Sequence, residues 1–401
     1  MADRLRVMLV ADAVGGVWDV TLTLAGGLIR YADARVLLVV VGPAPDEARL
    51  AGARAIPHLE YRLLSGRLEW MEGGQDWLVA FRQGVAALAA DWQADVIHVN
   101  VLGLAGVGGE ARIRQMAYPP AVVLGVHSDL TTWWRWVKDG GHGPSSLPDY
   151  LYWQRDLAWH ALRQADVVVC PSAFLANELA VCHALERPPL VIHNAVFPPA
   201  GGAARQMAPR EGNVAVVVGR AWDEAKNLTV VAEALRHCRH PWQVEVAGDV
   251  AEPGRPATPP PSAPGLHYHG FIDKERLAAL YERAAICIAP SSYEPFGLSP
   301  AEAALSGCAI VANDLPSYRE VWGDAARYFQ RNSPRALAAQ LDRLYVAQAE
   351  VKRLAIAAGR RVAERYTLRQ MVDGYLDLYR AAGERSRWRG ARHHPIPLEA
   401  G

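Results

Sequence analysis

A repeated alternation constrains this chain more than any other feature: short β-branched apolar runs, each followed by a helical stretch, occur in two separate series. In the first series, strands are expected at 5–11, 35–41, 95–100, 121–127, 166–170 and 190–193, with helical segments between them, as at 20–31 and 149–164. Runs that are apolar at nearly every position suit strands buried on both faces. Their alternation with helices predicts βαβ units and a parallel sheet. Residues 198–213 are rich in Pro, Gly and Ala, lack apolar periodicity, and read as a linker. The pattern then restarts. Strands are expected at 214–219, 243–247, 266–269, 286–289 and 309–312, and helices at 227–237, 274–283, 300–305 and 334–365.

The expected fold class is therefore α/β, with two Rossmann-like doubly wound domains at 1–197 and 214–366. A single core stops growing near about 250–300 residues, so 401 residues fit two domains. An amphipathic helix follows at 367–383 with Thr367 as its N-cap, and a basic, loosely ordered tail at 384–401. The Pro-rich insert 250–264 reads as an exposed irregular loop.

Composition narrows the function. The chain is 51% hydrophobic and 21% charged, as globular proteins are. Lys+Arg and Asp+Glu both number 42, which argues against a nucleic-acid partner. The first 200 residues hold 16 Lys+Arg against 20 Asp+Glu, so the second half carries the excess of cations and better suits an anionic ligand. Five widely spaced cysteines without a C-x-x-C suggest reduced thiols, and a cytoplasmic location is expected. No apolar run is long enough for a transmembrane segment.

Four places carry chemistry. The first is the stretch from Glu294 to Glu302, EPFGLSPAE, between an expected strand and a helix. Gly297 allows a ligand close to the backbone, and the amides of Leu298 and Ser299 open a helix where partial positive charge favours phosphate. Glu302 lies one turn inside and suits two ribose hydroxyls. The second is Gly219-Arg220 at a strand end with Lys226-Asn227 opening the next helix. Two cations there suit a diphosphate leaving group, doing what a magnesium ion does at other diphosphate sites. No D-x-D or His/Asp cluster stands beside them, so no metal site is expected. The third is the turn at Gly15 and Gly16 after the first strand, which fits a passing ligand and equally fits a purely structural turn. The fourth is His127 at a strand end, placed for a sugar hydroxyl. Trp133, Trp134 and Trp136 follow it in a segment, 131–152, that reads as a mobile acceptor-side loop, although one or two of these rings equally suit a core.

These residues resemble the retaining, nucleotide-sugar-dependent glycosyltransferases of the GT-B architecture with the E-x7-E signature. The resemblance spans nearly the whole chain and is most specific over 219–227 and 281–320. It implies two domains facing across a cleft, with the C-terminal helix crossing back onto the first. It also implies that Arg220 and Lys226 bind the diphosphate and that Glu302 binds the ribose. Glu294, with the backbone of Phe296, Gly297, Leu298 and Ser299, would hold the transferred sugar and phosphate. Phe271 and Ile272 would lie near the base, His127 on the sugar, and Gly15 and Gly16 in the facing glycine loop. The donor would be a UDP-, GDP- or ADP-linked sugar, with no other cofactor, and the acceptor a small molecule or glycan. The Pro-rich insert departs from the family's short turn after Ala247-Gly248-Asp249. Competing readings are a sugar phosphorylase or nucleotide-sugar epimerase on the same fold, and a non-catalytic nucleotide-sugar-binding protein.

Overall fold

The apolar runs form two parallel sheets. In the computed structural model, which describes residues 4–142, 147–198, 211–252 and 259–393, the first sheet has seven strands. They are β1 (Arg6–Ala11), β2 (Arg35–Gly42), β3 (Glu60–Ser65), β4 (Val96–Val99), β5 (Ala121–Gly125), β6 (Val167–Cys170) and β7 (Leu190–Val191). Their order is β3-β2-β1-β4-β5-β6-β7. The second sheet has six: β8 (Glu211–Val218), β9 (Gln243–Ala247), β10 (Leu266–Tyr268), β11 (Ala284–Ala289), β12 (Ala309–Asn313) and β13 (Ala326–Phe329), in the order β10-β9-β8-β11-β12-β13. Each is doubly wound, so each has a switch point, between β1 and β4 and between β8 and β11, where connections leave in opposite directions and a crevice opens at the carboxyl ends.

The central strands earn their place by burial: Val7, Met8, Leu9, Val10 and Ala11 of β1 are fully buried, as is Ile286 of β11. Helices cover both faces of each sheet, giving two cores per domain. The helix Leu368–His393 leaves the second domain and seats Met371, Val372, Tyr375 and Tyr379 in the core of the first. Gly27 makes the crossing possible, since a Cβ there would lie 2.5 Å from Val372 Cγ2. Thr367 caps this helix as expected. Its hydroxyl accepts from the Gln370 amide at 3.2 Å and Gln370 Oε1 accepts from the Thr367 amide at 3.3 Å, a reciprocal box.

Several expectations change. β3 and β13 were not foreseen, nor was the helix Trp77–Trp92. β5 ends at Gly125, so His127 stands beyond the strand. The expected helix 334–365 is two, Pro334–Val346 and Gln348–Arg365, parted at Ala347, whose non-helical backbone (φ −100°, ψ 57°) breaks the run. β8 begins at Glu211, so the last residues of the expected linker are strand, while 199–210 lie outside the described residues. Of the Pro-rich insert, 253–258 lie outside them as well. The backbone of 384–393 continues the last helix rather than forming a loose tail, and 394–401 are not described. All five cysteines are free thiols. Among the described residues no helix is long and apolar enough to cross a membrane.

Candidate active site

The carboxyl ends of β8 and β11, with the turn after β1 facing them, bring several of the expected residues together. In the second domain, the turn after β8 carries Gly219 and Arg220, and a single helical turn, Glu224–Lys226, carries the lysine. Asp223 caps that turn by accepting from the Ala225 amide at 3.0 Å. The same aspartate accepts from Arg220 Nη2 at 2.6 Å, and the guanidinium lies 5.0 Å from the Trp222 ring. Lys226 lies along Gly219, where a Cβ would come 3.0 Å from Lys226 Cδ. Its ammonium donates to Glu294 Oε2 at 2.7 Å, across 68 residues of sequence. Side-chain exposures of 22% and 16% shield this pair more than an ordinary surface ion pair.

Three residues beyond Glu294, Gly297 (φ 92°) opens the helix Leu298–Leu305 without any side-chain cap. The left-handed backbone suits glycine, and the space is tight as well: a Cβ would meet Tyr318 Cε1 at 3.2 Å. The amides of Leu298 and Ser299 precede the first intrahelical bond, from Ala301 to Gly297, so this helix end favours an anion. Phe296 itself is buried against Tyr366, so its backbone alone faces the loop's chemistry. Glu302 sits one turn on. Burial, then the charge of Asp19, pushes its carboxyl up to about 7, against the pull of Lys274 and a Tyr281 hydrogen bond. The Tyr281 hydroxyl also lies 3.1 Å from Ser299 O. Phe271 is 74% exposed and Ile272 packs partly into the core.

The first domain faces this loop. Gly15 (φ 73°) starts the helix Gly16–Ala32, and a Cβ on Gly16 would lie 3.5 Å from Leu298 Cδ1. Lys274 donates to Asp19 Oδ1 of that helix at 3.1 Å, bridging the domains beside Glu302. His127 Nε2 lies 3.2 Å from Asn100 Oδ1, the residue that follows β4. Burial pushes His127 down to about 4, so its ring is neutral at pH 7. Behind it, His98 is driven lower still, to about 3, by burial and then by His127, with Nδ1 2.7 Å from Tyr379 Oη.

The tryptophan segment is not a loop. Residues Leu130–Val137 form a helix capped by Asp129, which accepts from the Thr132 amide at 2.9 Å. Trp136 is buried against Phe174, ring centroids 5.1 Å apart, so its expected place on the acceptor side is corrected to the core. Trp133 is partly buried against the second domain's core, and Trp134 is partly exposed next to it. The helix is an interdomain contact. Thr132 donates to Asp129 O at 2.9 Å, which leaves Tyr293 to donate its hydroxyl proton to Thr132 Oγ1 at 2.8 Å. Lys138 pairs with Glu224, and Arg331 with Gly140 O, at the same seam. Nearby, Glu320 of the second domain accepts from the Ala173 and Phe174 amides at 2.8 and 3.0 Å, capping a helix of the first.

Sequence reasoning missed Asn100, Tyr293, Asp19 and Lys274, whose partners lie far off in sequence. It also missed the carboxylate of Glu69, which lies near Asp12 of the first glycine turn. Both are held above the ordinary range by burial, and Asp12 adds to the effect on Glu69. Among the described residues, no group of three or more His, Cys, Asp or Glu is placed to hold a metal ion.

Comparison with known proteins agrees with this construction. Residues 212–346 match the family described as "Glycosyl transferases group 1", and residues 14–198 match "Glycosyltransferase Family 4". The MMP alpha-(1->4)-mannosyltransferase of Mycolicibacterium hassiacum is 26% identical over 310 residues, 72% of this chain and 71% of that protein. Among solved structures, sucrose-phosphate synthase from Thermosynechococcus elongatus aligns with a TM-score of 0.74 at 19% identity, covering 94% of this chain and 99% of that one. Anabaena HepE, solved with UDP-glucose, aligns at 0.70 and 15% identity, covering 94% and 100%. The chain thus carries two glycosyltransferase domains in the GT-B arrangement, and it is a glycosyltransferase.

Proposed function

We propose that the chain transfers a sugar from a nucleotide-diphospho-sugar to an acceptor hydroxyl, with retention of anomeric configuration and without a metal ion. The observation that carries this reading is the Lys226–Glu294 pair at 2.7 Å beside the uncapped start of the helix Leu298–Leu305. It sets an ammonium, a carboxylate and free backbone amides at the ends of two adjacent strands, as a sugar diphosphate requires. Arg220 and Lys226 serve the diphosphate, Glu302 the ribose, Glu294 and His127 the sugar hydroxyls, and Phe271 and Ile272 the base. A UDP-linked donor comes first for testing, given the UDP-glucose that the Anabaena protein holds, with GDP- and ADP-linked sugars beside it. The acceptor is assigned to the first domain, with Trp134 among its contacts.

In the reaction, the bond from the anomeric carbon to the phosphate oxygen breaks and its electron pair stays with the diphosphate. Arg220, Lys226 and the helix start stabilise that growing charge. The acceptor oxygen bonds to the same face of the oxocarbenium-like carbon, and its proton passes to the leaving phosphate oxygen. Glu294 is paired with Lys226 rather than poised as a free nucleophile, which supports this front-side course over a covalent intermediate. Closure of the domains excludes water.

The test is product analysis in excess chelator, with the donor panel and a library of hydroxyl acceptors, reading the anomeric configuration by NMR. The expected result is an acceptor glycoside that retains the donor's configuration. A glycoside of inverted configuration, or activity lost to chelator and restored by magnesium or manganese, would contradict it. Sugar phosphate formed from inorganic phosphate would mark a phosphorylase, and a changed donor sugar without acceptor an epimerase.

A further inference from the structure

We infer that His127 is locked as a hydrogen-bond acceptor by a relay through Asn100 and Thr21, so that it recognises a substrate hydroxyl and rejects an anion. This rests on the proposed place of His127 in the donor site. The relay itself rests on which atoms are able to give protons.

It starts at the carbonyl of Val17, in the helix Gly16–Ala32, which can only accept. Thr21 Oγ1, fully buried, lies 2.7 Å from that oxygen and must donate to it. Having given its one proton, the hydroxyl is an acceptor toward Asn100, 3.1 Å away. That fixes the Asn100 amide with its nitrogen toward Thr21 and its oxygen toward His127, 3.2 Å from Nε2. An amide oxygen accepts, so Nε2 must carry the proton. The ring is neutral, because burial suppresses the imidazolium, and a neutral imidazole with Nε2–H has a lone pair on Nδ1.

The fit around the amide is close. Gly125, the last residue of β5, would place a Cβ 2.3 Å from Asn100 Oδ1 and 2.7 Å from His98 Nε2, so only glycine leaves room for the amide oxygen there. Asn100 is pinned at its backbone, where its amide donates to Val10 O at 2.8 Å. The relay therefore runs from the first helix across the ends of β4 and β5, and it joins the glycine turn to His127.

The consequence is chemical selection. The lone pair on Nδ1 accepts a hydrogen bond from a hydroxyl of the sugar, whereas a phosphate oxygen meets no donor there. Asn100 and Thr21 are positioning residues: their effect reaches substrate through His127.

Nitrogen-15 spectroscopy of the histidine rings in the full chain at pH 7.5, without substrate, reads the tautomer directly. The signals of His127 are assigned by their loss in His127→Asn. The Nε2–H pattern is expected in the wild type. Thr21→Val keeps the volume but removes the hydroxyl, freeing the amide to turn its nitrogen toward His127; the ring should then move to Nδ1–H. Donor kcat/KM should fall about tenfold, affinity for the bare nucleoside diphosphate should hold, and Thr21→Ser should restore both tautomer and rate. If Thr21→Val does not fold, Thr21→Ala provides the same comparison. An Nδ1–H ring in the wild type, or a tautomer unmoved by the variants, overturns the relay. Because the spectrum needs no turnover, a chain that spends no donor would sink the proposed function while still testing the relay.

Discussion

At the scale of single residues, the second domain's half of the candidate site was legible because its chemistry is local. Glu294, Gly297 and Glu302 lie within one strand-to-helix turn, and the turn's geometry follows from its residue types. The Lys226–Glu294 contact bridges 68 residues, yet both members stood out as charges at strand ends. Asn100, Thr21 and Tyr293 did not stand out, since an amide, a threonine or a tyrosine is meaningful only once its partner is known. Two predictions belong here. In the proposed reaction, Lys226 faces a phosphate whose charge grows as the glycosidic bond breaks. Lys226→Ala should therefore lower kcat under donor saturation by about 10²–10³; an unchanged kcat would return Lys226 to a structural pairing with Glu294. Glu302 holds its proton up to about pH 7, above its ordinary 4.5. Its folded carboxyl is thus preferred protonated, a contribution present below about pH 4.5 and lost as pH rises through 7. Glu302→Gln removes the cost of the buried charge, so it should melt higher than wild type at pH 8, by on the order of 2 kcal/mol, and match it near pH 4. Equal melting at pH 8 would count against a desolvated Glu302. The same variant should raise donor KM more than it lowers kcat.

At the scale of elements, most strands were readable from their apolar runs, and the two that were missed lie at sheet edges. β3, EYRLLS, sits at a sheet edge with half its residues exposed, and β13, ARYF, is four residues long. The helix Trp77–Trp92 was overlooked because its alanine-rich, thinly charged sequence offers little amphipathic contrast. The tryptophan segment was misread because its glycines and prolines come after 137, whereas Leu130–Val137 has a proper aspartate cap. Burial now separates its rings. Trp136→Ala should destabilise the protein by about 3–5 kcal/mol, as emptying a core aromatic site does, and weaken nucleotide and acceptor use together. Trp134→Ala should leave the melting temperature nearly unchanged and raise acceptor KM alone. Thermal melts with steady-state kinetics on both variants check this, and an acceptor KM unmoved in Trp134→Ala would remove that ring from the acceptor side.

At the scale of the whole molecule, the twofold repeat of the βαβ pattern was enough to expect two doubly wound sheets, each with a switch point at which a crevice opens. Their mutual seating was not readable. It depends on Leu298 lying in both cores, on the Tyr293–Thr132 and Lys274–Asp19 bonds, and on Glu320 capping a helix of the other domain. None of these has a local sequence pattern. The account's central claim is that the second domain binds a nucleoside diphosphate through its own cations and helix start. The most direct measurement is the thermal stability of the protein in excess chelator with UDP, GDP, ADP or TDP. One of them at a hundredfold excess over its dissociation constant should stabilise the fold by about 2.7 kcal/mol, and Lys226→Ala should lose most of that gain. A melting temperature that none of the four raises, or a gain that Lys226→Ala keeps in full, would contradict the claim.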